Sequence, residues 1–198
     1  MKTTIYIIFS VVLICFLSSN SKVNTKYKEG DVIFQTTSGA TGKGIQLATH
    51  SKYNHCGILF LENNKWVVYE AIQPVCKTSL IDFNSRGLGI IKRINTHILS
   101  SLEIEKLKAE FKKHENKNYD DVYGWGDDKI YCSELVYKLF YNALNIELCK
   151  TRKIGDYDFS HPLVKEKLLE KYGNNIPLNE TMVAPSDLFE SKMLSLIK

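Results

Sequence analysis

Cysteine is scarce in this sequence and does not follow the patterns of disulfide-rich or metal-binding scaffolds. The chain has five cysteines in 198 residues, and four of them, Cys56, Cys76, Cys132 and Cys149, follow the N-terminal apolar segment. No two of these have C-x-x-C spacing, which argues against a structural zinc site and a thioredoxin-like redox motif. An even number permits disulfides in an exported chain, but the fold must depend mainly on a hydrophobic core.

Charge of one sign is not concentrated anywhere in the sequence. The formal net charge is only +4 and the lysines are spread along the chain, so no basic stripe predicts nucleic-acid binding. A mildly cationic surface suits an anionic cell envelope, although solubility explains the charge equally well. With 44% hydrophobic and 24% charged residues, and with no internal repeat or low-complexity segment, the sequence is typical of a globular domain.

The sequence also lacks an apolar run long enough to span a membrane. The N-terminal run, Ile5 to Leu17, is shorter than the roughly 20 residues that a spanning helix needs. It precedes the small polar residues Ser18 to Ser21, as in a secretory signal peptide. We therefore predict a signal peptide over residues 1–21 and export to the periplasm or cell envelope. The less favoured alternative is a lipoprotein whose only membrane contact is an anchor at Cys15, because Ile14 stands where a small residue is expected.

The remaining residues, 22–198, are predicted to form one α+β domain. Short apolar strands precede most of the helices along the chain, an order typical of an antiparallel sheet packed against helices. Two of the strands are separated by Asn63-Asn64, which predicts a β-hairpin. The predicted strands cover residues 30–35, 56–61, 65–72 and 89–94, and the predicted helices cover 44–49, 101–114, 162–172 and a segment that begins at Cys132.

The most informative stretch is Tyr131-Cys132-Ser133-Glu134-Leu135-Val136. Apolar residues recur every three or four positions after the cysteine, which predicts an amphipathic helix with one buried face. A thiol at a helix N-terminus lies near unpaired N–H groups and the positive end of the helix dipole, and both favour the nucleophilic thiolate. The alternative is a structural cysteine, since free cysteine is often buried in cores.

Two further residues meet the needs of a cysteine nucleophile, which requires a base and a group that orients the base. Of the five histidines, His55 stands at the start of a predicted strand, where a rigid backbone can aim an imidazole. Glu70 lies among apolar residues of the partner strand, and a carboxylate there is costly to bury unless it is paired. The predicted hairpin brings both residues near one end. The alternatives are a loop histidine and a solvated edge-strand glutamate.

Five short motifs occur in an order that resembles the YiiX/YebB-type permuted papain-like group, which is allied to the NlpC/P60 superfamily of cell-wall hydrolases. The resemblance extends from residue 30 to Leu188 and includes Tyr119-Asp120. Histidine precedes cysteine in it, which is the reverse of the order in ordinary papain-like enzymes. The motifs are Gly30–Gln35, Ile45–Thr49, His55–Ile58, Val68–Ile72 and Tyr131–Val136.

The resemblance implies a permuted papain-like α+β fold, in which a helix carrying Cys132 packs against an antiparallel sheet or small barrel carrying His55 and Glu70. It implies Cys132 as the nucleophile, His55 as the general base and Glu70 as the group that orients the imidazole, with no metal ion and no organic cofactor. The Cys132 backbone N–H is a natural oxyanion donor. Weaker candidates for lining the cleft or donating to the oxyanion are Tyr131, Gln35 and Asp31.

One residue departs from the family pattern. Cys56 follows the histidine at a position where a small aliphatic residue is expected. Because neighbouring residues of a strand point to opposite faces of the sheet, we predict that Cys56 lies in the core and is not a second nucleophile.

The expected activity is hydrolysis of an amide bond through a covalent acyl-enzyme, by an exported protein that we expect to be a monomer. Cell-wall peptide is the favoured substrate, because export and the related superfamily both point to it. An alternative within enzymes is a lipid acyl hydrolase or acyltransferase that uses the same three residues. An alternative of another class is a catalytically silent binding module, and the joint presence of Cys132, His55 and Glu70 argues against it.

Overall fold

The computed structural model describes residues 26–197, and the predicted signal peptide and Cys15 lie outside this range. Within it, no helix is both long enough and apolar enough to cross a membrane. The strands are β1 (Val32–Gln35), β2 (His55–Glu62), β3 (Lys65–Glu70), β4 (Cys76–Ser79), β5 (Ile90–Ile94), β6 (Asn118–Tyr119), β7 (Lys129–Ile130), β8 (Arg152–Lys153), β9 (Thr181–Met182) and β10 (Leu194–Leu196). The helices are α1 (Ala40–Thr49), α2 (Leu80–Ser85), α3 (Ser101–Lys112), α4 (Cys132–Leu144), α5 (Pro162–Tyr172) and α6 (Pro185–Phe189), with a 3-10 turn at Ile154–Asp156.

A six-stranded sheet forms the frame of the molecule. Its strand order is β10-β5-β1-β2-β3-β4, and every neighbouring pair is antiparallel. The α+β class with an antiparallel sheet packed against helices is therefore confirmed. The short strands β6 and β7 pair with each other in parallel, outside the main sheet.

Helix α4 packs on one face of this sheet and lies in the main core. Its residues from Cys132 to Phe140 are all buried. The sheet contributes Phe34 and Phe60 to the same core, and α4 contributes Leu135. Burying a side chain of this size contributes about 1.5–3 kcal/mol, so the contact holds α4, and with it Cys132, firmly against β2.

A smaller apolar cluster covers the opposite face of the sheet. Ile33, Leu59, Val68 and Ile91 of the central strands meet Phe83 of α2 there. The strands thus alternate between two buried faces, as expected for strands in the middle of a layered fold. This second cluster fixes α2 beside the end of the β2–β3 hairpin.

The predicted hairpin is confirmed by the pairing of β2 with β3, in which Ile58 lies opposite Tyr69. Both turn residues, Asn63 and Asn64, have positive φ angles of 49° and 60°. Asparagine adopts this left-handed conformation more readily than most residues, which explains why two of them suit a tight hairpin.

Other predicted boundaries differ from those of the structure. Helix α1 begins at Ala40, earlier than the predicted residue 44, and the N-cap of α3 is Ser100 rather than Ser101. Ser100 forms a capping box with Glu103, so the acidic residue was correctly associated with the helix start. The sequence analysis predicted neither β4 nor α2. Both are short, with four and six residues, so they carry almost no periodic signal.

Candidate active site

Cys132 is the first residue of α4, and Tyr131 is the N-cap. The predicted position of the thiol at the start of a helix is therefore confirmed. The backbone N–H of a first helical residue has no carbonyl partner within the helix, and the helix dipole places positive potential beside the thiol. Only 3% of Cys132 is exposed, so little water screens that potential.

His55 and Glu70 form a buried ion pair at one end of the hairpin. His55 begins β2, Glu70 ends β3, and His55 Nε2 lies 2.5 Å from Glu70 Oε2. Glu70 has no exposed surface. The ring of Phe83 stacks on the imidazole at a centroid distance of 5.7 Å. These contacts fix the orientation of the imidazole and leave Nδ1 as the ring nitrogen available to another partner.

That partner is the thiol of Cys132, which is hydrogen-bonded to His55. Burial alone would lower the pKa of His55, but the hydrogen bonds to Cys132 and Glu70 outweigh burial and raise it to about 9. Hydrogen bonds from Cys56 and His55 hold the pKa of Cys132 well below its ordinary value, although burial opposes this. The favoured state is a thiolate beside an imidazolium, which is the state that a cysteine nucleophile needs.

Cys56 lies in the core, as predicted, but it also touches the reactive sulfur. Its thiol is hydrogen-bonded to Cys132, and burial raises the pKa of Cys56 well above its ordinary value. Cys56 therefore stays protonated and donates to the Cys132 thiolate. The four cysteines within the described residues are all free thiols.

Gly57, two residues after His55 on β2, leaves no room for a side chain. An added Cβ would lie 2.5 Å from Cγ1 of Val68 and 2.9 Å from the carbonyl oxygen of Tyr69. Because the backbone cannot easily yield, we expect Gly57→Ala to lower the free energy of unfolding by about 1–3 kcal/mol. The same added carbon would lie 3.3 Å from Cβ of Glu70, so alkylation of Cys132 should also slow. Urea denaturation and iodoacetamide kinetics measure the two effects.

Gly126→Ala is the control for this substitution, because an added Cβ at Gly126 meets no atom within 4 Å. We expect its unfolding curve and its alkylation rate to match those of the wild type. If Gly57→Ala had an unfolding curve that matched that of Gly126→Ala, the crowding argument would be wrong.

A cleft of about 460 Å³ opens beside His55. One wall is the loop and first turn of α1 from Thr37 to Gly42, and the other includes Ile72 and Gln73 after β3. Tyr119 and Arg86 lie at the remaining sides. The cleft gives a substrate a route to the imidazole and hence to the sulfur beside it.

Tyr119 is a site residue that the sequence analysis quoted but gave no role. Its hydroxyl is hydrogen-bonded to Cys132, and burial together with the Cys132 charge raises the pKa of Tyr119 well above its ordinary value. The hydroxyl therefore stays protonated and remains a donor. Pairing with Ile130 and a 2.7 Å hydrogen bond from its backbone N–H to Gln73 Oε1 fix its strand. A tyrosine next to Asp120 was the only signal in the sequence.

The structure places the weaker candidates Tyr131 and Asp31 away from the cleft. Tyr131 is 1% exposed, and its hydroxyl accepts the backbone N–H of Val183 at 3.2 Å. Asp31 is bound by Arg93, whose Nε lies 2.6 Å from its carboxylate. Both side chains are occupied in packing and pairing, so neither is the oxyanion donor or the cleft residue that we expected.

Gln35 also lies outside the cleft lining, although it is paired with His55 across β1 and β2. Its side-chain amide donates to the carbonyl oxygens of Phe83 and Gly87. These two residues flank the end of α2. Gln35 therefore acts on the shape of the site through α2, and not through contact with a substrate.

Comparison with known proteins places these residues in a family. A family model described as permuted papain-like amidase enzyme, YaeF/YiiX, C92 family, matches residues 26–198. The uncharacterised protein YiiX of Escherichia coli strain K12 is 40% identical over 171 residues, which is 85% of this chain and 84% of that protein. A crystal structure of yiiX from Escherichia coli O157:H7 has 39% identity and a TM-score of 0.84, and the match covers 87% of this chain and 97% of that one.

The crystallised relative is described as a metalloprotein, but the residues of this site do not suit a metal ion. Within residues 26–197, no three His, Cys, Asp or Glu side chains are grouped so that they could hold one. At the cleft, Nε2 of His55 is already bound to Glu70, which leaves too few free donors around Cys132. The side chains here do not fit a metal centre, and we assign no step to one.

Proposed function

The chain belongs to the family of permuted papain-like amidases, and we propose that it cleaves an amide bond with Cys132 as the nucleophile and His55 as the general base. The observation that carries this proposal is the buried relay in which Cys132 is hydrogen-bonded to His55 and His55 to Glu70. Buried ion pairs also serve structural roles, but the pKa of the Cys132 thiol is lowered beside an open cleft, which is typical of a nucleophile.

The first half of the reaction begins with attack of the Cys132 thiolate on the carbonyl carbon of the substrate. The carbonyl oxygen becomes an oxyanion, which the backbone N–H of Cys132 and the hydroxyl of Tyr119 stabilise by hydrogen bonds. The His55 imidazolium then donates its proton to the departing amine, the C–N bond breaks, and a thioester to Cys132 remains.

The second half of the reaction releases the acyl group. Neutral His55 takes a proton from a water molecule, and the resulting hydroxide attacks the thioester carbon. The C–S bond breaks, the acid is released, and the thiolate and imidazolium are restored. Glu70 keeps the ring in one orientation throughout, because its carboxylate accepts the N–H of Nε2.

We assign the substrate to the class of peptide amides found in the bacterial cell wall, and we place the enzyme in the cell envelope. The apolar N-terminal run with its small polar exit supports export, and the net charge of +4 suits an anionic polymer. The cleft is also lined by Ser38, whose polar side chain can hydrogen-bond to a peptide.

A second candidate function, hydrolysis or transfer of a lipid acyl group, is favoured by one observation. A narrow, largely apolar cavity of about 70 Å³ lies between α1 and α5, and its walls include Ala48, Leu168 and Met182. Thr41 and Ile45 line both this cavity and the cleft. An acyl chain that entered the cavity would thus have its carbonyl end near the cleft.

Purified cell-wall peptide fragments and acyl esters of increasing chain length separate the two functions. We expect the wild type to release new amino groups from the fragments, and Cys132→Ala to release none. Faster hydrolysis of long than of short esters, with only the long-ester rate lowered in the cavity-filling variant Ala48→Phe, would favour the lipid function instead. Binding without turnover of either substrate by a protein whose Cys132 is unreactive would identify a silent binding module.

A further inference from the structure

The carboxylate of Glu70 has a second cationic partner that the reaction above does not use. Its Oε1 lies 2.5 Å from Nη2 of Arg86, while its Oε2 lies 2.5 Å from Nε2 of His55. The side chain of Glu70 has no exposed surface, whereas one third of the Arg86 side chain is exposed at the cleft. A carboxylate that is buried to this degree stays ionised only when it is paired and hydrogen-bonded.

We propose that Arg86 is a positioning residue that extends the relay to four members, Cys132, His55, Glu70 and Arg86. This inference rests on the proposed function, because it assigns Arg86 to the same site. Arg86 occupies one carboxylate oxygen of Glu70, so only the other oxygen is left for the imidazole. The cation also keeps Glu70 negatively charged. A negative Glu70 stabilises the His55 imidazolium, and the imidazolium in turn stabilises the Cys132 thiolate.

One contact of Arg86 with α2 and two hydrogen bonds from Gln35 to its neighbours hold Arg86 in place. The guanidinium carbon of Arg86 lies 5.2 Å from the centre of the Phe83 ring, and that same ring stacks on His55. The side-chain amide of Gln35 donates to the carbonyl oxygens of Phe83 and Gly87, on either side of Arg86. A single short helix therefore contacts both members of the His55–Glu70 pair, which a merely surface-exposed arginine would not do.

Besides His55 and Arg86, two uncharged groups lie close to Glu70 in the described part of the chain. The hydroxyl of Thr78, from β4, donates a hydrogen bond to it, and Cys56, from β2, carries no charge because burial raises its pKa. Thr78 can orient the carboxylate, but a hydroxyl brings no positive charge. Among residues 26–197, Arg86 and the protonated imidazole of His55 are the cations that pair with Glu70, so loss of Arg86 leaves the imidazole alone.

The test uses Arg86→Met and the alkylation of Cys132 by iodoacetamide, a neutral reagent that charge does not steer. We expect the variant to alkylate about tenfold more slowly on the acid limb of the rate profile, because loss of a cation near a carboxylate raises the carboxyl pKa by about one unit or more. The acid limb of the rate profile should move to higher pH by a similar amount. Arg86→Lys, which restores a cation without the planar fork, should recover part of the rate.

Arg93→Met is the matched control, because Arg93 also pairs with a buried carboxylate of the sheet, that of Asp31, away from the cleft. We expect it to reduce stability and leave the alkylation profile unchanged. If Arg86→Met does not fold, Arg86→Gln takes its place, because it keeps a hydrogen-bond donor and removes the charge. We expect its acid limb to move to higher pH by the same amount.

The outcomes separate this inference from the proposed function. An Arg86→Met or Arg86→Gln profile that superimposes on that of the wild type would overturn the role of Arg86 and leave the nucleophile intact. A wild-type Cys132 that reacts only as an ordinary thiol would overturn the proposed function itself. A shift of equal size in Arg93→Met would show that the effect is global, and it would also overturn the role of Arg86.

Discussion

Replacement of Cys132 by alanine is expected to reduce hydrolysis by about four to six orders of magnitude, the range seen when a nucleophile is removed from a catalytic triad. The acyl-enzyme cannot form without the sulfur, and the neighbouring thiol cannot replace it, because Cys56 has no exposed surface and a raised pKa. The substitution removes a small side chain, so we expect the free energy of unfolding to change by only about 1 kcal/mol. Turnover of the best cell-wall fragment and a urea melt measure the two quantities.

Covalent labelling checks the same substitution without a known substrate. We expect iodoacetamide at pH 6 to modify wild-type protein at Cys132, and to leave Cys132→Ala unmodified. Cys149→Ala is the control, because burial raises the pKa of the Cys149 thiol to about 12 and makes it a poor nucleophile. Labelling of Cys56 or Cys149 in the Cys132→Ala protein, at the rate of the wild type, would contradict the assignment of the nucleophile.

Much of this site could be predicted from the sequence, because its three main residues lie in regular elements. The periodicity after Cys132 predicted the helix, and the Asn63-Asn64 turn predicted the hairpin. In an antiparallel hairpin, the start of one strand and the end of the other necessarily meet at the same end. His55 and Glu70 could therefore be brought together from chain order alone.

The residues that the sequence analysis missed or misplaced lie in short or irregular segments. Tyr119 belongs to a two-residue strand, and Arg86 follows a six-residue helix. Segments this short have no period from which a direction can be read, and their contacts join residues that are distant in the chain. Gln35 was misassigned for the same reason, since its amide partners, Phe83 and Gly87, are 48 and 52 residues away.

Cys56 shows what the alternation of side chains along a strand can predict and what it cannot. Alternation along β2 correctly predicted that its side chain points into the core. It did not reveal that α4 places Cys132 directly against that side chain, because the depth at which a helix packs depends on the whole core. Because of this contact, Cys56 is not only a packing residue. Its thiol also donates a hydrogen bond to the nucleophile.

Replacement of His55 by glutamine is expected to slow the alkylation of Cys132 at pH 6 by about a hundredfold. Without the imidazolium, the thiol returns toward an ordinary pKa of about 8.5, so less than about 1% is thiolate at pH 6. At pH 10 the thiol ionises in both proteins, and we expect the rates to approach each other. Alkylation quenched at fixed times and quantified by mass spectrometry, from pH 4 to pH 10, measures the rate at both ends of this range.

The direction of the pH dependence follows from the two pKa shifts. The pKa of Cys132 is lowered and that of His55 is raised to about 9, so the thiolate–imidazolium pair exists between these values. Hydrolysis by the wild type should therefore rise with pH as Cys132 ionises, and fall as the pH passes about 9, because neutral His55 cannot protonate the leaving amine.

His97→Gln is the control for the His55 variant, because His97 is partly exposed and pairs with Glu103 at the start of α3, away from the cleft. We expect its alkylation profile to superimpose on that of the wild type. The relay would be disproved by a wild-type rate that rises only through pH 8–9, as for a free thiol. A His55→Gln profile identical to that of His97→Gln would disprove it as well, since Cys132 would then be ionised by something other than His55.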